Sequence, residues 1–254
     1  MNDNSKDDTL EILQHITTNY PFIQIVDYPG FKKRIPGAGV VEAFNYGYSK
    51  LSECQYDYIV KLDGDLSFDP NYFQKIFTVF DKDRSLGIAS GIILDCKTGK
   101  PVTISFQEYT YGASKIYKKE CFDKLYPLEA VKGWDMLDNV IAQKYGYSTR
   151  IIPSEIVMHL KPMDVAVGKK YENILKGYYD AFYQYMPIFV LIKMLKLILV
   201  KPYLLGGIFY LFGYLKNRLL KKEYYQDEEV LSIIRGHQKK RLKNIMRGNP
   251  YSRV

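Results

Sequence analysis

The chain has 254 residues, of which 47% are hydrophobic and 25% charged, with 24 tyrosines and a formal net charge of +8. That composition belongs to an ordinary folded protein and excludes disordered and collagen-like chains. The charge is uneven, with a balance of −3 over residues 1–160 and +11 over residues 161–254, so the front can supply carboxylates to a metal while the back suits an anionic partner. In chain order, Asp7–Thr17 reads as a helix, with Leu10, Leu13 and Ile16 at three-residue spacing. Phe22–Val26 reads as a short strand before a Pro29-Gly30 turn, and Gly37–Lys50 as a helix. Tyr58–Leu62 is a buried strand that runs straight into Asp63-Gly64-Asp65. Asn71–Phe80 follows as an amphipathic helix and Leu86–Leu94 as a strand. The alternation predicts an α/β domain with mostly parallel strands. Further on, the sequence predicts a strand pair over Val102–Tyr111, helices over Lys118–Leu125 and Trp134–Tyr145, and a strand over Arg150–Val157.

Beyond Tyr171 the character changes. Met186–Leu220 is apolar but carries Lys193, Lys196, Lys201 and Lys216, and is broken by Pro202 and Gly206-Gly207. Neither of its two apolar runs approaches the ~20 residues that cross a bilayer. Lys193 and Lys196 share one helix face, which fits helices lying in a membrane interface. A helical core with snorkelling lysines and a re-entrant span are the other readings. The tail from Glu223 to Val254 reads as a basic amphipathic helix. Without an aromatic stacking platform or a nucleic-acid motif, its charge points to anionic lipid rather than to nucleic acid. Cys54, Cys96 and Cys121 are scattered without metal-ligand spacing, which favours a reducing compartment. The polar stretch Met1–Gln14 lacks the apolar run of a secretory signal.

Three places can carry chemistry. Asp63 and Asp65 leave the carboxyl end of a strand, where open α/β sheets bind ligands, and two carboxylates at i and i+2 can face one cation. Gly64 between them lets a ligand approach, and oxygen ligands suit Mg²⁺ or Mn²⁺. The same pattern also occurs in solvated turns. Asp135 opens a helix beside Trp134, with Asp138 three residues on. It can serve as a helix-dipole partner or as a general base beside an aromatic wall. His159 follows a strand and can be a metal or phosphate ligand, or a satisfied surface residue.

Together these pieces resemble the GT-A-fold glycosyltransferases of family 2. Asn2-Asp3-Asn4-Ser5-Lys6-Asp7-Asp8-Thr9 looks like that family's DDGS-x-D-x-T segment, with Asn2 where Asp is usual, and Asn45-Tyr46-Gly47 like its N-x-G element. Gly112 to Phe122 (GASKIYKKECF) is similar to its G-x-x-x-x-Y-(R/K)-(R/K)-E-x-F stretch. Gly133-Trp134-Asp135 and His159 resemble a bacterial Trp-Asp subgroup, as does the apolar Lys201–Gly207 segment with Gly213-Tyr214-Leu215 downstream. The resemblance implies a Rossmann-like sheet with helices on both faces over residues 1–165, and a basic, membrane-associating helical region over 166–254. It implies an inverting, metal-dependent transfer of sugar from a nucleotide-diphosphate sugar to a hydroxyl of a saccharide or lipid-linked saccharide. The setting it implies is surface polysaccharide or glycolipid synthesis at the cytoplasmic face of the membrane. Asp3 would contact the nucleotide, with Gly64 and Trp134 lining the donor site. Asp65 would hold Mn²⁺ or Mg²⁺, with Asp63 on the ribose or metal side of the donor site and His159 an auxiliary metal or diphosphate contact. Asp135 would be the base, and Lys32, Lys33 or Arg34 would add charge near the diphosphate. Members of the family begin with a further strand and helix, a unit of roughly 35 residues. The expectation is therefore a chain that starts late. The competing expectation is a non-catalytic membrane scaffold derived from such an enzyme.

Overall fold

The structure is a computed structural model that describes residues 1–3, 5–30, 38–51, 55–102, 109–161, 168–221 and 223–247. Helices α1 (Thr9–Asn19) and α2 (Gly39–Ser49) precede strand β1 (Tyr58–Leu62) and the short β2 (Leu66–Phe68). Then come α3 (Tyr72–Lys82), β3 (Leu86–Asp95), β4 (Ser114–Lys118), α4 (Lys119–Leu125), α5 (Trp134–Lys144) and β5 (Ser148–His159). Helices α6 (Lys169–Phe182), α7 (Pro187–Ile198), α8 (Leu205–Lys216) and α9 (Glu228–Met246) complete the chain, with one π-helical turn at Asn217–Lys221.

Among the described residues the five strands lie in the order β1-β4-β3-β5-β2. Only β3 and β5 pair in parallel, and the other three pairings are antiparallel, which corrects the mostly parallel expectation. The reason is the two short strands that the strand–helix alternation does not reveal. β4 enters between β1 and β3 running opposite to both, and β2 turns back along the end of β5. The expected strand at Phe22–Val26 does not form: Phe22 is 81% exposed, and the neighbouring ladder contact is one bridge between Asn2 and Asp27. β-propensity without a partner strand leaves only an extended loop. The expected strand pair at 102–111 lies largely outside the described residues, as does the expected domain boundary at 165/166.

The pleat sorts alternate residues to opposite faces of the sheet. Ile59, Ile88 and Tyr117 join Val41 of α2, Phe122 of α4 and Ala142 of α5 on one face. Ala89, Ile116 and Val157 join Tyr72, Ile76 and Phe80 of α3 on the other. Those three α3 residues recur every four positions and are 0–2% exposed, so each contributes about 1.5–3 kcal/mol of apolar burial. Just before this helix, Asp69 closes a turn by accepting the Asn71 backbone N–H at 2.8 Å.

A third core joins α5 to the C-terminal helices, with Leu137 and Val140 packed among Tyr183, Phe189, Tyr210 and Ile234. α6 and α8 cross closely, because a methyl group at Gly177 would overlap the Tyr210 carbonyl and one at Gly213 the Ile174 carbonyl. α9 lays Val230, Leu231 and Ile234 into this core, so only part of the basic tail faces solvent. Lys193 does not lie with a headgroup-facing row. Its ammonium turns inward to Asp180 at 2.5 Å, because that carboxylate is buried and needs a cation. The outward face of α7 is apolar apart from Lys196, which stays exposed. No helix among the described residues is long and apolar enough to cross a membrane.

Candidate active site

β1 ends in the Asp63-Gly64-Asp65 turn, which is anchored by the Asp63 N–H donating to the Ala113 carbonyl at 2.9 Å. Lys61, 5% exposed on β1, donates to the Asp63 carboxylate and to the Gly112 carbonyl, the latter at 2.8 Å. A methyl at Gly64 would meet nothing within 4 Å, so the turn is open on that side. Antiparallel pairing sets Leu66 of β2 opposite His159 at the end of β5, and the Leu160 N–H donates to the Asp65 carbonyl at 2.8 Å. One ligand atom from each of Asp63, Asp65 and His159 therefore falls within 4.8 Å of the others. His159 Nδ1 lies 2.6 Å from the Lys161 carbonyl, which can only accept, so Nδ1 carries the proton. In the neutral ring that leaves the Nε2 lone pair, 3.7 Å from Asp65 Oδ1, free for a metal. Two carboxylates and an imidazole, offset by one ammonium, form a donor set that suits Mn²⁺ or Mg²⁺.

The second half of the site is the start of α5. Gly133 adopts φ +80, a left-handed conformation that glycine takes without steric cost, and so turns the chain into the helix. Trp134 is 7% exposed, and its ring lies 5.3 Å from both the Lys61 and the Lys115 ammonium groups. Lys115 is fully buried, donating to the Asp135 carbonyl at 2.6 Å and to the Asp138 carboxylate. Asp138 also accepts from the Tyr117 hydroxyl at 2.6 Å and the Asn139 amide at 3.1 Å. Burial pushes the Lys115 ammonium down and the Asp138 carboxyl up from their ordinary values, while each opposes the shift of the other. The Asp135 carboxylate, by contrast, makes no hydrogen bond or ion pair among the described residues and caps no helix. It lines a cavity of about 320 Å³ between α5 and helices α6 and α7. Gly112 is pressed against it: a methyl there would sit 2.9 Å from Asp135 Cβ and 3.1 Å from Trp134 Cζ2. Lys61, which holds both Asp63 and the Gly112 carbonyl, is the physical link between the metal-type cluster and Asp135.

The family model for glycosyl transferase family 2 matches residues 1–132, just over half of the chain. The chain belongs to this family. Among solved structures it is similar to the mannosyltransferase PcManGT from Pyrobaculum calidifontis, solved with GDP-Man and Mn²⁺, at 14% identity and TM-score 0.51 over 87% of this chain and 77% of that one. At that identity the likeness shows the GT-A fold. It also matches GalNAc-T7 with UDP, GalNAc and Mn²⁺, at 15% identity, TM-score 0.48, 79% of this chain and 44% of that one. A third match is S. aureus TarS 1-349, at 15% identity, TM-score 0.45, 87% of this chain and 62% of that one. No curated protein matches the sequence.

In this family 2 glycosyltransferase the matched segment ends just before Gly133-Trp134-Asp135. The structure brings Asp63, Asp65 and His159 together and sets Trp134 and Asp135 beside Gly112. It does not join Asp3 to that cluster. Among the described residues Asp3 is exposed, with Gly30 and Tyr28 as its neighbours. Lys32, Lys33 and Arg34 lie outside the described residues. The sequence reading missed Lys61 and Lys115 as site-building residues. The one available signal was a lysine inside each of two otherwise strand-like runs, YIVKL and SKIYK.

Proposed function

We propose that this family 2 glycosyltransferase moves a sugar from a nucleotide-diphosphate sugar to an acceptor hydroxyl with inversion, using a divalent cation. The observation that carries the reading is the Asp63–Asp65–His159 group at the end of β1, with the unengaged Asp135 carboxylate across the Lys61–Gly112 link. Asp63, Asp65 and His159 Nε2 would hold Mn²⁺ or Mg²⁺. Such an ion, when bound, supplies positive charge against the leaving diphosphate. Lys61 holds Asp63 in place, and the Nδ1 bond to Lys161 orients the His159 ring. Asp135 takes the proton of the acceptor hydroxyl as its oxygen bonds to the sugar carbon and the bond from that carbon to the diphosphate oxygen breaks. One carboxylate suffices, because an oxocarbenium-like carbon needs little push. The GDP-Man in the PcManGT structure supports a donor of this class. Asp3 would reach its base.

The same proposal covers the setting. Residues 166–254 form the membrane-associating region, and the enzyme works at the cytoplasmic face of the membrane on a saccharide or lipid-linked saccharide for a surface glycan. In support, α7 turns Ile188, Leu191 and Leu195 outward, Leu199 follows at its end, and α8 turns Leu205, Ile208, Phe212 and Leu215 outward, all 42–75% exposed. An unpartnered apolar ridge of this size marks a binding surface, and nearby Lys201, Lys216 and Arg218 suit anionic headgroups. Nucleotide release from UDP- and GDP-sugars with Mn²⁺ tests the chemistry. Asp65→Asn should lower it by on the order of 10²–10³-fold, and activity that survives both this change and EDTA refutes the metal role. Flotation with phosphatidylglycerol vesicles tests the setting: a Leu195→Ser/Phe212→Ser variant should stay unbound, and undiminished flotation refutes it.

A further inference from the structure

We propose that the cavity beside Asp135 is the acceptor site and that it takes an uncharged sugar ring, with α6 and α7 supplying its selectivity. This rests on the function proposed above. At about 320 Å³ the cavity lies at the lower end of the ~300–1,000 Å³ typical of small-molecule sites, which is room for one or two rings. It is lined by Asp135 but by none of Asp63, Asp65 or His159, so it is separate from the place where a donor diphosphate would lie.

Its walls have sugar-binding chemistry. Tyr179, half-buried on α6, presents aromatic surface to the weakly polar C–H faces of a ring, with Tyr183 buried in the cavity wall. Glu172 and Lys176, one turn apart on α6, pair at 2.6 Å with each side chain about half exposed. Together they offer an acceptor and a donor to neighbouring hydroxyls, which a polyol needs at once. The charge of the cavity is balanced, since Asp135, Glu172 and Asp180 are met by Lys132, Lys176 and Lys193. Asp180 and Lys193 are already committed to each other at 2.5 Å, and the Tyr210 hydroxyl donates to Asp180 at 2.6 Å. Such a lining favours neither an anionic nor a cationic ligand. A ring seated between α6 and α5 would offer a hydroxyl to the free Asp135 carboxylate. Helices beyond the family-matched segment would then decide which hydroxyl is glycosylated.

Saturation-transfer NMR on the full chain with Mn²⁺ and UDP or GDP tests this. The probes are methyl β-glucoside, methyl β-galactoside and methyl N-acetyl-β-glucosaminide, with methyl β-glucuronide as the charged counterpart. Methyl aglycones avoid the apolar ridge. At least one uncharged glycoside should show saturated ring protons. Tyr179→Ala and Glu172→Gln should each weaken it at least tenfold, Tyr179→Phe should retain it, and nucleotide binding should not change in any of them. The inference is overturned if no uncharged glycoside binds, if the glucuronide binds better, or if Tyr179→Ala and Glu172→Gln bind as the wild type does. Nucleotide binding without glycoside binding confines the failure to this inference. Loss of Mn²⁺-dependent nucleotide binding in the wild type brings down the proposed function as well.

Discussion

Gly112→Ala is the sharpest probe of the geometry around Asp135. The added methyl would stand 2.9 Å from Asp135 Cβ, 3.1 Å from Trp134 Cζ2 and 3.3 Å from Asp135 Oδ2. Carbon atoms prefer separations of about 3.5–4.0 Å, so Asp135 must retreat by about 0.6–1.1 Å. Lys115 holds the Asp135 carbonyl and Trp134 is buried, so the start of α5 has little freedom to share the shift. The overpacking should cost about 1–3 kcal/mol of stability. A displacement of that size at a base can cost ~10²-fold in rate, equivalent to about 2.7 kcal/mol on the barrier. The expected result is a folded variant with kcat for nucleotide release lowered 10–100-fold. Mn²⁺ affinity should stay within about twofold, because the atoms nearest the methyl belong to Asp135 and Trp134 and none to Asp63, Asp65 or His159. Circular dichroism, manganese paramagnetic resonance and a coupled nucleotide-release assay separate these readouts. A folded Gly112→Ala protein with wild-type kcat would refute the reasoning, most clearly if Asp135→Asn were inactive in the same assay.

Two further outcomes follow from the buried and capping charges. Lys115→Met removes the only ammonium bonded to the buried Asp138 carboxylate among the described residues. It should cost about 3–5 kcal/mol in urea unfolding, with most of that recovered by Lys115→Met/Asp138→Leu. A loss below about 1 kcal/mol for the single variant would show that Tyr117 and Asn139 satisfy Asp138 alone. Asp227 starts α9 by accepting the Glu229 and Val230 N–H groups at 3.1 Å and the Lys144 ammonium at 2.7 Å. The Lys144 hydrogen bond first, and then the Val230 N–H, hold its carboxyl below the usual range. Its stabilisation is therefore complete above the unfolded value near 3.9 and fades as pH falls through the lower folded value. Asp227→Ala should cost about 1 kcal/mol at pH 7, and the gap from wild type should narrow in acid. A gap as wide at pH 2 as at pH 7 refutes the assignment.

Local pattern determined a good part of this protein. A continuous apolar run marks β1, a four-residue repeat of large apolar side chains marks α3, and an Asp-Gly-Asp turn after a strand marks a place where carboxylates gather. These signals lie within a few residues of one another, so backbone periodicity and turn chemistry expose them without knowledge of the rest of the chain. The tertiary structure alone decided the neighbours. His159 stands beside Asp65 because β2 pairs with the end of β5, more than ninety positions later in the chain. β4 wedges between β1 and β3, which turns an expected parallel sheet into a mixed one and carries Lys115 beneath α5. Lys193, read as a surface charge from its helix face, points inward because Asp180 is buried within reach. Ladder partners and desolvated charges depend on which distant segment arrives alongside, and no window of sequence contains that information.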